Sequence, residues 1–75
     1  MLTFHVAREG DEIDIVCDAQ GVAVLLGALA KVMAARASLC RLRGPRGGGR
    51  DLDDVSPHGM KSAREVLIDY QESAE

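Results

Sequence analysis

The run AQGVAVLLGALAKVMAARA, residues 19–37, decides the architecture of this chain, because its apolar residues follow the period of an α-helix. Asp18 precedes the run, and its carboxylate can accept hydrogen bonds from the free amides of a first helical turn. The larger apolar side chains fall within a stripe about 120° wide, opposite a face of small and weakly polar residues. We predict one amphipathic helix from Ala19 to about Ala37. Its buried stripe is expected to consist of Val22, Leu25, Leu26, Leu29, Val32 and Met33.

Two short runs before the helix alternate between apolar and other residues, as half-buried strands do. They are LTFHVA at residues 2–7 and EIDIVC at residues 12–17, and the turn between them contains Gly10, which can take a positive φ. We predict that the two strands form an antiparallel hairpin. The side chains expected to point inward are Leu2, Phe4, Val6, Ile13, Ile15 and Cys17, and those expected on the outer side are Thr3, His5, Ala7, Glu12, Asp14 and Val16.

Two further strands are predicted after the helix, SLCRLR at residues 38–43 and REVLIDY at residues 64–70. Residues 44–62 between them show no strong periodicity, and a connection of 19 residues is long for so small a domain. We predict a long mobile loop here and a frayed tail at residues 71–75. The side chains expected to point inward are Cys40, Leu42, Val66, Ile68 and Tyr70, and those expected to hold the loop to the body are Leu52, Val55 and Met60.

Together these elements predict an α+β fold with the order β-β-α-β-β, in a single domain of residues 1–75. One helix packs on a mainly antiparallel four-stranded sheet, which makes a two-layer sandwich. Because a single helix covers one face of the sheet, the other face is expected to be open to solvent or to a partner. That open face would carry Thr3, His5, Glu12, Asp14, Val16, Arg41, Arg43, Glu65, Leu67 and Asp69.

The net charge of −3 is unevenly distributed along the chain. Residues 1–30 hold one basic residue and five acids (−4), residues 31–50 hold six basic residues and no acid (+6), and residues 51–75 hold two basic residues and seven acids (−5). A basic segment between acidic flanks can be neutralised within the fold. Its central portion, RLRGPRGGGRDLDD at residues 41–54, is the main functional clue in the sequence.

The sequence lacks the usual signatures of catalysis, cofactor binding and metal binding. Acids follow the glycines at residues 47–49, where a phosphate-binding loop has a Lys and a Ser or Thr. The two histidines and two cysteines are not spaced as metal ligands, so we expect no cofactor and no metal. His5 and Asp14 are predicted to face each other across the hairpin as a polar pair, with no nucleophile beside them. We therefore expect a protein that is not an enzyme.

The expected location is the cytoplasm. The first residues, MLTFHVAREGDE, lack the basic start of a secretory signal and reach acids early. The longest uncharged run, residues 19–30, is too short for a bilayer, which needs roughly 20 apolar residues. Cys17 and Cys40 lie at predicted apolar positions, and two cysteines do not indicate a disulfide framework. We predict a soluble intracellular protein without a membrane partner.

The residues after the helix resemble a family of small bacterial immunity proteins that are encoded beside polymorphic toxins, immunity protein family thirty-two. The matching positions are Leu42, Pro45, Gly48, Gly49 and Leu52, together with EVLIDY at residues 65–70. The resemblance spans roughly residues 13–70 and departs from the family pattern at Leu39, Arg41 and Gly47, where members tend to carry histidines and an aromatic residue. It implies a non-enzymatic protein that binds and neutralises a cognate toxin in the cytoplasm.

These observations predict a protein-binding module that acts by occluding its partner and is a monomer or a homodimer. The residues expected to contact the partner are Arg41, Arg43, Arg46, Arg50, His5 and Asp14, with the arginines supplying steering charge. Two alternatives stay open. One is a nucleic-acid-binding accessory protein, although one Phe, one Tyr and no Trp leave few side chains for base stacking. The other is a homo-oligomeric domain that hides its open sheet face against a copy of itself.

Overall fold

The computed structural model describes residues 1–36 and 39–71, and within them the chain forms one α-helix and four strands. The α+β class and the order β-β-α-β-β are as predicted. Ala37 and Ser38, where the predicted helix ends and the third strand begins, lie outside the described residues, as does the predicted frayed tail beyond Gln71. The elements are β1 (Leu2–Ala7), β2 (Glu12–Cys17), α1 (Ala19–Ala35), β3 (Leu39–Arg43) and β4 (Glu65–Asp69), with short 3-10 turns at Arg8–Gly10 and Pro45–Gly47.

The strands form two separate antiparallel hairpins, β1–β2 and β3–β4, in place of the single four-stranded sheet that the pattern predicts. The reason lies at the free edge of β1, which the connection between β3 and β4 occupies. Asp53 N donates to Leu2 O at 2.8 Å, Ala63 N donates to Phe4 O at 2.6 Å, and Phe4 N donates to Ser62 Oγ at 3.1 Å. With these edge groups already satisfied, β1 cannot form a continuous ladder with β4.

Helix α1 begins where the sequence predicts. The Asp18 side chain accepts a hydrogen bond from Gly21 N at 2.9 Å, which caps the first turn. Asp18 N donates to Met1 O at 3.1 Å, so the start of β1 lies against the start of the helix. The helix ends at Arg36, whose φ of 59° is left-handed and whose N–H donates to Val32 O at 2.8 Å.

The core is small and contains side chains from the helix, from both hairpins and from the connection between β3 and β4. Four buried side chains form its centre, Leu2 from β1, Ala28 from α1, Leu42 from β3 and Leu52 from the connection. Leu52 is 1% exposed, so the connection contributes to the core as fully as the strands do. The half-buried side chains around the centre are Phe4, Cys17, Leu25, Cys40, Val66 and Ile68. In both hairpins this confirms the predicted inward positions nearest the helix.

The helix presents a different side to the core from the one that its pattern predicts. Gly21, Ala28 and Val32 are buried and Leu25 is half-buried, whereas the large side chains one position further along are exposed. Small residues let the helix lie close to the strands: a Cβ at Gly21 would be 1.8 Å from Met1 O. We call the exposed row the helix stripe; it consists of Val22 (42% exposed), Leu26 (61%), Leu29 (46%) and Met33 (61%).

The β1–β2 hairpin also departs from the predicted burial. Its near end packs on the core through Leu2 and Cys17, but the predicted inward residues at its far end are exposed. A six-residue strand is about 20 Å long and a helix only about 10 Å across, so one crossing helix leaves part of the hairpin uncovered. We call this uncovered part the hairpin face; it consists of Val6 (55% exposed), Ile13 (61%) and Ile15 (49%).

The opposite side of this hairpin is only partly the open surface that the sequence predicts, since Glu12 and Asp14 are exposed but the residues nearer the core are covered. Thr3, expected to point outward, is fully buried, and its Oγ1 has no hydrogen-bond partner among the described residues. His5 Nδ1 lies 3.0 Å from Lys61 O, so the connection between β3 and β4 passes over this side. The outward side of the second hairpin does stay exposed, at Arg41, Leu67 and Asp69.

The connection at residues 44–62 is folded against the body at several points. Leu52, Ser56 and Ser62 are buried, and Val55 pairs with Lys61 in an isolated antiparallel bridge. Leu52 anchors the connection as predicted, whereas the two other expected anchors are exposed, Val55 at 48% and Met60 at 43%. The predicted mobility of this segment stays a prediction.

Candidate protein-interaction site

Two of the predicted steering arginines already face an acid within the second hairpin. Arg41 and Arg43 project from the same side of β3, and Glu65 on β4 lies opposite Arg43 and diagonal to Arg41. The Nε atoms of Arg41 and Arg43 are 4.0 and 3.6 Å from the Glu65 carboxylate. Both contacts are longer than hydrogen bonds, and Arg43 Nε is buried without a hydrogen-bond partner among the described residues, so neither contact contributes much to stability. They do lower the net positive charge that this face offers to a partner.

Arg46 has a structural role in the connection. Its Nε donates to Asp54 Oδ1 at 2.7 Å and its Nη2 donates to Ser62 O at 2.8 Å. This guanidinium therefore joins the start of the connection to its end, and it neutralises one acid of the DLDD run. Arg50 is exposed, and no carboxylate in residues 1–36 or 39–71 lies within 4.0 Å of its side chain. Of the four arginines, Arg50 is the one best placed to steer a partner.

His5 and Asp14 are brought together by the register of the first hairpin, as predicted. Because a carbonyl oxygen only accepts, His5 Nδ1 is the donor in its contact with Lys61 O. His5 is therefore bonded to the connection and not to Asp14. The two residues line a groove of about 470 Å³ between β2 and the turn at residues 56–60.

The hydroxyl group that lines the groove, that of Ser56, is used to shape a turn. Ser56 Oγ accepts from His58 N and Met60 N, both at 3.2 Å, which shapes the turn and occupies the hydroxyl oxygen. Within the part of the chain that the structure describes, no three His, Cys, Asp or Glu residues cluster as metal ligands. Cys17 and Cys40 are free thiols at the edge of the core.

The hairpin face is the feature that reasoning from sequence missed. Val6 and Ile13 are partners in the β1–β2 register, and Ile15 lies next to them on the same side. The strand pattern predicts these residues to be buried. The signal that could have revealed their exposure is the length of the strands compared with the width of the single helix.

Acidic residues lie at the turn next to the hairpin face and on the other side of its strands. The segment at residues 8–14 holds one arginine and four acids, which gives a net charge of −3. All four acids are exposed, and the arginine reaches one of them over 3.7 Å. The tip of the first hairpin thus combines an apolar patch with four acids at the turn and on the other side of the strands, which we call the acidic rim. This composition suits a basic protein partner.

Asp18 is the residue with a shifted pKa near the chain start. A hydrogen bond from the Met1 ammonium, at 2.5 Å, and the hydrogen bond from Gly21 N lower the pKa of Asp18 below its usual value of 3.8. Both contacts favour the charged carboxylate. This group holds the helix start and does not belong to the candidate site.

Comparisons with protein-family models, with curated proteins and with solved structures find no match to this chain. No helix within the described residues is long and apolar enough to cross a membrane.

Proposed function

We propose that this chain is a small non-enzymatic protein-binding module that holds its partner on the hairpin face. The observation that supports this proposal is the exposure of three large β-branched side chains at the end of a hairpin whose other end is in the core. Val6, Ile13 and Ile15 are each about half or more exposed. Contiguous apolar side chains with a polar rim are typical of interaction sites in small domains.

Burial of these side chains gives a useful free energy of binding. Complete burial of a large aliphatic side chain contributes about 1.5–3 kcal/mol, so burying the exposed portions of these three contributes about 2–5 kcal/mol in total. Association alone costs several kcal/mol. The hairpin face therefore supplies the centre of an interface, and further contacts are needed around it.

The acidic rim determines the kind of partner. A partner with an apolar centre and lysines or arginines around it would be attracted to residues 8–14 and would have its charges paired on docking. Asp14 is one of these acids; like its cross-strand partner His5, it lies on the side of the strands opposite Val6, and both residues line the groove. Arg50 lies on the connection and contributes charge away from this centre.

The resemblance to immunity proteins supports a particular kind of partner, a bacterial toxin. The chain then binds a cognate bacterial toxin in the cytoplasm and blocks it by covering a basic functional surface. Direct occlusion requires only a complementary face, which the hairpin face and its rim provide. Binding to nucleic acid receives less support, because three of the four arginines in residues 41–54 have acidic neighbours within the fold.

The test is coexpression with the toxic domain encoded by a neighbouring gene, measured as growth and as binding between the purified proteins. Ile13→Lys places a positive charge in the hairpin face and is expected to abolish protection and to weaken binding at least 100-fold, as burial of an unpaired charge costs about 3 kcal/mol or more.

The matched control is Leu67→Lys, which makes the same charge change at a 54% exposed residue of β4. It is expected to protect like the unmodified protein. Equal binding by both variants would refute the hairpin face as the site. Tight binding to generic DNA or RNA with a steep dependence on salt would refute the protein-binding proposal itself.

A further inference from the structure

The helix stripe is a second exposed apolar surface, and none of its residues belongs to the hairpin face. Its four members are spaced four, three and four residues apart, as are the a and d positions of a coiled coil. They are between 42% and 61% exposed. A helix of a monomeric domain normally turns such a row toward its own core and a charged face toward water.

The solvent-facing surface of α1 carries almost no charge. Lys31 is the one charged residue in the 17 residues of the helix. Beside the stripe, on the side away from the core, runs a second row that follows the same spacing and contains only small residues. These are Ala23, Gly27, Ala30 and Ala34, and all four are exposed. Small side chains beside an apolar row allow another helix to approach closely.

The accessible surface of the chain is large for its mass. It is 5383 Å², whereas a monomer of 8.0 kDa exposes about 4,450 Å² on the usual scaling. The excess of about 900 Å² is close to the roughly 800 Å² that each partner buries in a standard protein interface. The chain therefore exposes surplus surface of the size of one standard interface, and both the helix stripe and the hairpin face contribute to it.

We propose that α1 is the interface of a homodimer, in which the helix stripes of two copies pack antiparallel across a twofold axis. An axis between Leu26 and Leu29 places each of these residues against the other in the second copy. The same axis places Val22 against Met33 of the second copy. We call the contact line between the two stripes the seam. At each of its ends the short, branched side chain of Val22 meets the long, flexible side chain of Met33, which can adapt to fill the space.

The charges at the helix ends select the antiparallel arrangement and a second copy of this chain. Asp18 caps the start of α1 and Arg36 caps its end, so an acid and a base flank the helix stripe at its two ends. The antiparallel arrangement brings Asp18 near Arg36 of the second copy at each end of the seam. It also brings the positive end of each helix dipole to the negative end of the other, whereas a parallel arrangement would pair like charges.

The experiment is sedimentation equilibrium of the full chain over a range of micromolar concentrations, with two variants of matched chemistry. Leu26→Glu puts a carboxylate into the seam and is expected to lower the association constant at least roughly 100-fold. Leu67→Glu makes the same change at a leucine of similar exposure outside the seam, and it is expected to change the constant by less than about 3-fold. A chain that stays monomeric at every concentration, or a Leu26→Glu variant that still dimerises, would overturn the proposal.

Cross-linking decides the arrangement and does not depend on a charged variant that folds. In a background of Cys17→Ala and Cys40→Ala, the antiparallel seam is expected to give a fast disulfide in a mixture of Leu26→Cys and Leu29→Cys chains. Each variant alone should cross-link slowly. Fast cross-linking of Leu26→Cys with itself would contradict the antiparallel seam, and no cross-linking in the mixture would contradict the helix interface. Toxin binding through the hairpin face is measured separately, with Ile13→Lys, so the two proposals can fail independently.

Discussion

The same substitution at two glycines of one helix should change stability in opposite directions. Gly27 is in the middle of α1, and beyond its chain neighbours and the adjacent helix backbone no atom lies within 4 Å of the position that a Cβ would take. Gly27→Ala is therefore expected to raise the free energy of unfolding by about 0.5–1 kcal/mol, because alanine restricts the unfolded chain and favours the helix.

Gly21 lies two residues after the helix start and is buried. A Cβ there would be 1.8 Å from Met1 O and 2.9 Å from Cys17 Cβ, so Met1 must move. Overpacking of this kind costs about 1–3 kcal/mol. Displacing Met1 O also weakens the hydrogen bond from Asp18 N, which contributes about 0.5–1.5 kcal/mol. After the gain in helix propensity, Gly21→Ala is expected to lower the free energy of unfolding by about 1–3 kcal/mol.

Urea unfolding followed by far-UV circular dichroism, at one fixed chain concentration, measures both variants on the same scale. For a domain of this size the midpoint of thermal unfolding should fall by roughly 5–20 °C for Gly21→Ala and rise by roughly 2–8 °C for Gly27→Ala. If Gly21→Ala were as stable as Gly27→Ala, the close packing of the chain start on α1 would be refuted, and with it the reason for the rotated helix.

Three further perturbations test the parts that hold the fold together. Leu52→Ala removes a buried core side chain of the connection and should lower the free energy of unfolding by about 2–5 kcal/mol in chemical unfolding. Leu67→Ala, at an exposed position, should lower it by less than about 1 kcal/mol. Equal effects would mean that the connection is not part of the core. Arg46→Glu should lower the thermal midpoint because it breaks two hydrogen bonds and adds a repelled charge, while Arg50→Glu should leave it nearly unchanged. The pKa of Asp18 is lowered in the folded state, so its charge stabilises the fold above pH 3.8, and this contribution is lost as the pH falls through the lower folded value. Asp18→Asn should therefore be less stable than the unmodified chain near neutral pH. The difference in stability, measured by urea titration, should shrink at strongly acidic pH.

Local features of the fold could be predicted from the sequence because they depend on neighbouring residues. The alternation in residues 2–7 and 12–17 specifies a hairpin, and Gly10 has the positive φ, 99°, that its turn requires. Asp18 caps the helix that the 3.6-residue period predicts. Such signals operate within a few residues of one another, so they survive any tertiary arrangement.

The burial of each element could not be predicted in the same way. The apolar pattern of α1 fits two neighbouring rows, one through Leu25 and Val32 and one through Leu26 and Met33. The choice between them depends on Gly21, whose missing Cβ leaves room for Met1 and Cys17. The contact between Gly21 and Met1 joins residues that are distant in sequence, so the periodic pattern of apolar residues does not indicate it.

In the candidate site too, the local features could be predicted from the sequence and the long-range contacts could not. The sequence correctly indicates that His5 and Asp14 are opposite each other and that the arginine-rich segment has acids nearby, since both follow from register and charge order. It could not show that Ser62 bonds to β1, which separates the two hairpins, or that Arg46 is held inside the connection.

The sequence by itself determined which residues form strands, helix and turns, because hydrogen bonding and φ preferences are local. Only the tertiary structure decided which apolar side chains are left in water, because this depends on how far one short helix reaches across two hairpins. The exposed rows on α1 and at the tip of β1–β2 result from that mismatch in size, and both proposed interfaces lie on them.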